Sequence, residues 1–326
     1  IELPRGGTEV FPRYRLYGGV GNPASPAFGF VGVGPVEDRA AEVAAQAAAW
    51  AGDREVLPVL ELVVVVAQRE PGPDGDHATL VDPAVIDSWL AAARGIDGLL
   101  LLDVQPGSGE WLPTVRQLEP WLVEPDVGLA LDPEWAVDPG QVPGRVFGSM
   151  TGAEVDEVSA YLAGLVDAGA LPQKVLVVHE LAPFIVTDEA ALTLRPQVAV
   201  VTSVDGIGSP AEKVGTYGRV LRDRPDHVRA GFKLFLQEDV ERGGTVMTPE
   251  QVLGHDAAQS DAADQPDPLA RGRLGGHARR GRAVAQAERV GRRDRQRSQC
   301  EPRGRDARIR GEGDDLLVEF GQEVAG

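Results

Sequence analysis

Short apolar runs alternate with amphipathic segments along residues 14–254 of the chain. The runs are almost continuous in Val, Leu, Ile and Ala, as expected for strands of a parallel sheet that is covered on both faces. They predict seven strands: Tyr14–Gly19, Val56–Ala67, Gly98–Gln105, Val127–Glu134, Lys174–Glu180, Val198–Val204 and Val228–Leu236.

The segments between the runs predict helices, several of which begin at a recognisable cap. Asp82 stands before Pro83, and Thr151 and Ser209 each precede a helical pattern, so these three residues are expected N-caps. The predicted helices are Glu37–Ala51, Pro83–Arg94, Glu110–Val123, Ala153–Ala168 and Pro210–Arg222, with a weaker piece at Asp188–Leu194 and a further start at Thr248–Gly254.

This alternation of strand and helix predicts a (β/α)8 barrel over residues 1–254. The alternative fold is an open doubly wound sheet. The barrel is favoured because polar residues end nearly every predicted strand instead of clustering at one switch point. Since the pattern yields only seven strands, it leaves the barrel one strand short, with an open edge.

Residues 255–326 differ from the body in kind, with 14 Arg, no Lys and 13 acidic residues. All 14 arginines fall in Arg271–Arg310, which has four acids and no aromatic residue. Such a composition predicts a disordered, low-complexity tail, because it cannot bury enough apolar surface to offset the entropy of ordering. It could be a basic tail that binds nucleic acid or an anionic surface, or the translation of a shifted reading frame. The second is favoured because the apolar pattern stops abruptly where one more strand is due.

Charge and cysteine content exclude several classes of function for the body. Residues 1–254 hold 18 basic and 37 acidic residues, which argues against a nucleic-acid partner. The only cysteine is Cys300, so a disulfide framework and a cysteine-based metal site are both excluded there. No apolar run is long enough to cross a bilayer. Because the numbering starts at Ile1 and not at Met, any targeting segment is expected to have been removed or never included.

Polar residues at the carboxyl ends of the strands are the candidate chemistry, because reactive groups of such barrels lie at that face. Asp103 and Gln105 share one face of their strand, as Asp132 and Glu134 share one face of theirs. Carboxylates crowded together in a partly apolar mouth acquire raised pKa values and can donate protons near neutral pH. The full set is Glu61, Asp103, Gln105, Asp132, Glu134, His179, Glu180, Asp205 and Lys233.

A pair of carboxyl groups on neighbouring strands is the arrangement that glycoside hydrolysis uses. Trp111 and Trp135 closely follow the acids of the third and fourth strands, and sugar rings commonly stack on such aromatic faces. The alternative for each acid is a structural role, accepting loop amides or pairing with Arg145 and similar residues.

Other chemistries have less support. His179 with Asp132 or Asp205 could bind a metal, but a single strand-end histidine is more often a hydrogen-bonded group, so no metal is predicted. Lys233 could form a Schiff base in a lyase, but pairing with an inward acid such as Asp205 is favoured. The segment 19–24 matches G-x-G-x-x-A by letter, yet its prolines break the required helix, so a loop and no cofactor are expected.

Asp132-Pro133-Glu134 on a fourth strand resembles the D-x-E of lysozyme-type and chitinase-type glycoside hydrolase barrels. The resemblance implies that Glu134 is the proton donor and that Asp132, with Asp103 nearby, supports it as base, nucleophile or electrostatic partner. The chain departs from that pattern because no acid ends the first strand and the run of Asp residues before D-x-E is missing.

The body also resembles a group of actinobacterial envelope proteins, many of lipoprotein type, through F-P-R-Y-R at 11–15, L-D-V-Q-P-G at 102–107 and L-D-P-E-W at 131–135. This resemblance brings no established activity but implies an extracytoplasmic location. Together these features predict a glycoside-hydrolase-like enzyme acting on a carbohydrate or cell-wall glycan, or alternatively a non-catalytic glycan-binding barrel. The expected substrate contacts are Trp135, Trp111, Gln105, His179, Asp205 and Glu61.

Overall fold

The structure is a computed structural model that describes residues 1–72, residues 74–255 and the strand Leu316–Gly321. Seven parallel strands within the body pair in chain order and form a curled sheet, which gives an α/β barrel-like fold. These strands are β1 (Tyr14–Gly21), β2 (Glu55–Ala67), β3 (Leu99–Val104), β4 (Val127–Leu131), β5 (Lys174–Glu180), β6 (Val198–Val204) and β7 (Arg229–Phe235).

An eighth strand, β8 (Leu316–Gly321), supplies the edge that the apolar pattern left open. It pairs in parallel with β7, where Gly231 lies opposite Leu317, and with β1, where Leu16 lies opposite Leu317. With this strand the pairing runs in a closed ring. The rest of the predicted low-complexity tail, including the stretch assigned to a shifted reading frame, lies outside the described residues.

Helices surround the sheet and mostly match the predicted segments: α1 (Val36–Ala47), α2 (Pro83–Gly95), α3 (Trp111–Arg116), α4 (Glu119–Leu122), α5 (Gly152–Gly169), α6 (Pro210–Val220) and α7 (Glu238–Gly243), followed by helical residues 249–255. The single helix predicted over Glu110–Val123 is instead two short helices. Pro120 lies in the first turn of α4, where its missing N–H costs nothing, but it could not continue α3. The weak piece at Asp188–Leu194 is only a 3-10 turn, Glu189–Ala191.

Three of the helices begin at side-chain caps that the sequence predicted. Asp82 accepts a hydrogen bond from the backbone of Ala84. Thr151 and Ser209 each form a capping box with the Glu three residues later. These caps fix where α2, α5 and α6 start, and so fix the lengths of the loops that lead to them from the carboxyl ends of the strands.

The inside of the barrel is filled from its amino-terminal end by apolar side chains. Alternate residues of each strand point inward, and those nearest the strand starts form one buried cluster that includes Leu57, Leu101, Val177 and Val201. Residues of the N-terminal segment, among them Leu3 and Phe11, belong to the same cluster. The barrel is therefore a packed core at this end, and a ligand can reach its interior only from the carboxyl end.

Candidate functional site

The next inward positions toward the carboxyl ends of the strands are polar. Seven of these side chains converge above the apolar cluster, each between 0% and 8% exposed: Glu61, Asp103, Gln105, Asp132, His179, Asp205 and Lys233. Six were predicted as site residues, and Lys233 was predicted to pair with one of them. The sequence identified this layer from the rule that reactive groups of such barrels lie at the carboxyl ends of the strands. Strand alternation explains why these side chains face the interior.

His179 lies at the centre of the polar layer, at 0% exposure. Its Nε2 is 3.2 Å from Oε1 of Glu61, and its Nδ1 is 3.1 Å from Oδ1 of Asp205. The imidazole therefore bridges acids from β2 and from the end of β6. The contact between Nδ1 and Asp205 is a hydrogen bond, which agrees with the hydrogen-bonded role that the sequence favoured for this histidine.

Lys233 pairs with Asp205, as predicted. Its Nζ lies 2.9 Å from Oδ2 of Asp205 and 3.3 Å from Nδ1 of His179. Burial acts to raise the pKa of Asp205, but the charges of His179 and Lys233 outweigh it and lower that pKa to about 2. Asp205 is therefore a carboxylate at neutral pH. Lys233 is thus engaged in an ion pair with Asp205, and this contact weakens the Schiff-base alternative.

Asp132 is held by Gln105. The Gln105 side-chain amide donates to Oδ2 of Asp132 at 2.8 Å, and its oxygen accepts from the backbone N–H of Ala67 at 3.2 Å. Because the Gln105 oxygen accepts from Ala67, the NH2 group of the amide faces Asp132. Only that group can donate a hydrogen bond to the carboxyl of Asp132. Gln105 thus positions the Asp132 carboxylate, a more specific task than the substrate contact predicted for it.

Asp103 is 1% exposed, and within the described part of the chain its Oδ1 accepts no hydrogen bond. Burial first, then the neighbouring Asp132 and Glu61, raise the pKa of Asp103 well above its usual range. A carboxyl group without a donor in a buried, acidic layer is most stable in its protonated form.

Glu134 reaches the same site by a different route from the predicted one. The strand was expected to run through Val127–Glu134, which would place Asp132 and Glu134 on one face, but β4 ends at Leu131. Pro133, which cannot donate to a strand ladder, begins a 3-10 turn that includes Glu134, with Asp132 as its N-cap residue. The turn nevertheless brings Asp132, Glu134 and Asp205 together, with one oxygen of each within 4.8 Å of the others.

The carboxyl of Glu134 is partly buried, and its Oε2 is inaccessible to solvent. Burial, Asp132 and Asp205, in that order, raise the pKa of Glu134 well above its usual range. Glu134 and Asp205 are therefore two neighbouring carboxyl groups with opposite pKa shifts. That contrast is the usual sign of an acid and base pair with divided roles.

Two sets of donors in this layer are close enough to surround a cation: Asp103, Asp132 and His179, and Asp132, Glu134 and Asp205. Oxygen-rich sets of this kind suit hard divalent ions. Gln105 and Lys233 already contact Asp132 and Asp205, so a cation would compete with an amide donor and an ammonium group for the same oxygens.

Three other predicted side chains lie away from this layer or at its margin. Trp111 is 6% exposed and packs in the outer core between sheet and helices, leaving little of its ring for a ligand. Trp135 follows Glu134 in the same turn and is partly exposed. Glu180 ends β5 facing outward, where burial and Glu189 raise its pKa to about 10.

Sequence reasoning did not single out Ser203, which is fully buried on the inner face of β6. Its hydroxyl lies 3.4 Å from Oδ1 of Asp205. The signal was available, because Ser203 stands two residues before Asp205 and so shares its face of the strand.

Comparisons with protein families, with curated proteins and with solved structures returned no match for this chain. Among the described residues, no helix has the length and apolar character needed to cross a bilayer. The geometry of the inner polar layer is therefore the basis for a functional proposal.

Proposed function

We propose that this barrel is a glycoside-hydrolase-like, carbohydrate-active enzyme in which Glu134 donates a proton to the leaving oxygen. The observation that carries the proposal is the contrast between Glu134 and Asp205. Their oxygens lie within 4.8 Å, yet burial and neighbouring acids raise the pKa of Glu134 while His179 and Lys233 lower that of Asp205 to about 2. A carboxyl group whose pKa is raised thus stands beside one whose pKa is lowered.

Roles for the individual side chains follow from these charge states. Glu134 protonates the glycosidic oxygen, and Asp205 attacks the anomeric carbon to form a glycosyl ester. Deprotonated Glu134 then takes a proton from water, which attacks that carbon and releases Asp205. Asp132 and Asp205 supply negative charge that raises the pKa of Glu134, and Gln105 holds Asp132 in place.

A double displacement through Asp205 would retain the stereochemistry of the anomeric carbon. Retaining enzymes place their carboxyl groups ~5–5.5 Å apart and inverting ones roughly 6.5–9.5 Å apart. One oxygen of Glu134 lies within 4.8 Å of one oxygen of Asp205, close enough for both carboxyl groups to act on one glycosidic bond. The expectation of a cell-wall glycan substrate and an extracytoplasmic location continues to rest on the sequence resemblance.

The test is Glu134→Gln, with Glu180→Gln as a matched control. Both are buried or partly buried acids with raised pKa values, but Glu180 faces the outer layer. Reducing-sugar release would be measured from chitin, peptidoglycan and neutral β-glucans. Glu134→Gln should lower kcat by about 10²–10⁴-fold while glycan affinity is retained, and Glu180→Gln should leave kcat unchanged.

Hydrolysis that survives Glu134→Gln would rule out this assignment. Wild-type protein that binds one of these glycans but releases no reducing sugar would instead be a non-catalytic glycan-binding barrel. A lyase acting through Lys233 would be inactivated by borohydride in the presence of substrate, whereas the proposed enzyme would not be.

A further inference from the structure

Beside the inner polar layer lies an open groove of about 720 Å³. It is formed by the loop and helix after β3, by the long loop after β4 and by the start of α5. None of the carboxylates of the polar layer lines it. The groove is therefore a separate feature of the carboxyl-terminal face, bounded by the loops that follow the strands of Asp103 and Asp132.

The walls of the groove are tied to the turn that carries Glu134. The backbone N–H of Gly148 donates to the Glu134 carbonyl at 2.7 Å, and the N–H of Val137 donates to the carbonyl of Gly107 at 2.8 Å. A Cβ at Gly148 would lie 2.1 Å from the Ala136 carbonyl oxygen, so only glycine permits this approach. The groove and the proposed acid are thus parts of one hydrogen-bonded unit.

One side of the groove carries exposed apolar residues. Phe147 is 64% exposed and Val146 43% exposed, and both line the groove. The Phe147 ring packs against that of Phe184, itself 54% exposed, with centroids 6.3 Å apart and planes tilted by 58°. These two large rings contact each other at the surface and not in the core. An exposed apolar patch of this kind more often marks a binding surface than a structural contact.

The charge of the lining restricts what can bind. Glu110, Asp138, Glu154 and Glu157 line the groove against a single cation, Arg116. An anionic polymer would be repelled by this excess of negative charge. A neutral chain, or one that carries amines, would not be.

We propose that the groove binds an uncharged or amine-bearing extension of the glycan chain, with Phe147 and Phe184 as its stacking platform. This inference rests on the proposed carbohydrate function. It gives that function a substrate class: a polymer of several sugars without acidic groups. The groove would hold the sugars beyond the bond that reaches Glu134, so affinity should increase with chain length.

The experiment measures binding in the Glu134→Gln background, so that turnover plays no part. The probes are chito-oligosaccharides of two and of six sugars, their de-N-acetylated amines, and hexagalacturonate as the anionic control. The Phe147→Ala/Phe184→Ala variant should weaken binding of the six-sugar probes about tenfold, the order expected on losing an aromatic anchor, and leave the two-sugar probes unchanged.

Val123→Ala and Phe147→Tyr are the controls. Val123 is 43% exposed and directly follows α4, ahead of β4 and toward the amino-terminal end of the barrel, so it should not affect affinity. Tyrosine keeps a ring at position 147 and should restore most of the binding. Equal affinity for two and six sugars would overturn the inference, and so would unchanged affinity in the phenylalanine variants. Tighter binding of hexagalacturonate than of the uncharged six-sugar probe would also overturn it.

Failure here is distinguishable from failure of the proposed function. If the wild-type protein hydrolyses glycan but binds all chain lengths equally, Glu134 remains the proposed acid. The groove would then have no part in binding the glycan. If binding depends on chain length and on the two phenylalanines but no hydrolysis occurs, the groove is supported as a glycan-binding site. The proposed catalytic role of Glu134 would then be wrong.

Discussion

The two halves of the barrel interior are built on the same strands but do different things. Toward the amino-terminal end the inward positions are Leu, Val, Ala and Tyr, packed into one cluster. Two residues further along the same strands, the inward positions become Glu61, Asp103 and His179. The first half stabilises the fold by burying apolar surface, whereas the second buries charges that must be compensated by each other.

This contrast shows where the fold tolerates an unfavourable arrangement. A carboxyl without a hydrogen-bond donor costs free energy of folding, and Asp103 is such a group in the described chain. The apolar half supplies the stability that permits it. Destabilising elements at one end of a stable scaffold are typical of functional sites.

The largest expected loss of stability comes from breaking the closed ring of paired strands that both halves of the barrel share. Leu317→Pro removes a backbone donor from β8, which pairs with both β1 and β7. Proline inside a strand with two neighbours should cost about 3 kcal/mol or more. We expect a lower melting temperature and aggregation through the exposed edges of β1 and β7.

Leu317→Ile keeps that donor and is the control for the proline variant. If Leu317→Pro melts at the wild-type temperature, β8 does not close the barrel in solution, and the seven strands of the body fold with an open edge.

Breaking the charge balance of the polar half should have the next largest effect. Lys233→Met leaves Asp205 buried without its ammonium partner, and losing one member of a buried pair costs about 3–5 kcal/mol. The folded-state pKa of Asp205, about 2, lies below that of the unfolded chain, so the pair contributes stability above the unfolded pKa and loses it as pH falls through about 2. The deficit of Lys233→Met should therefore be full near pH 7 and shrink below about pH 4.

The double variant Lys233→Met/Asp205→Asn removes both charges, and urea unfolding should show that it recovers part of the loss. An equal deficit in the single and double variants would mean that Lys233 contributes by packing and not by charge.

In the apolar half, Leu101→Ala should cost about 2–5 kcal/mol, because it leaves a cavity in a fully buried cluster. The loss should not shrink below about pH 4, unlike that of Lys233→Met. Leu236→Ala, at a position 42% exposed, is the control and should cost much less. A strongly pH-dependent deficit for Leu101→Ala would show that the two halves are not energetically separate.

Most of the barrel and much of this contrast could be predicted from the sequence. The positions of polar residues at the carboxyl ends of the strands located the inner acids, and Lys233 was predicted to pair with Asp205. The ring closure was not predictable, because β8 follows more than sixty residues without apolar periodicity. Nor were the opposite pKa shifts of Glu134 and Asp205, since these depend on which charges surround each group in three dimensions.

Removing one of the buried acids of the polar half should stabilise the protein, whereas the substitutions above lower its stability. The folded pKa of Asp103 lies above its unfolded value, so between the two the folded state binds more protons and stability falls as pH rises. Asp103→Asn removes this proton uptake and should add about 1–3 kcal/mol near pH 7, with less gain near pH 4. Urea unfolding at both pH values checks the sign. A destabilised Asp103→Asn at pH 7 would indicate that the carboxylate form has a partner worth preserving.

The smallest expected effect is that of chelation. The carboxylates of the polar half already have competing partners: Asp132 accepts from Gln105, and Asp205 pairs with Lys233. A divalent ion would have to displace these contacts and approach the ammonium of Lys233, which opposes binding electrostatically. EDTA should therefore leave both the melting temperature and any glycan hydrolysis unchanged, and added Mg²⁺ or Mn²⁺ should not shift them. A melting temperature that falls with EDTA and returns with one of these ions would instead assign the donors around Asp132 to a cation. The proposed mechanism, in which Glu134 and Asp205 act as an acid and a nucleophile, would then give way to metal-assisted hydrolysis.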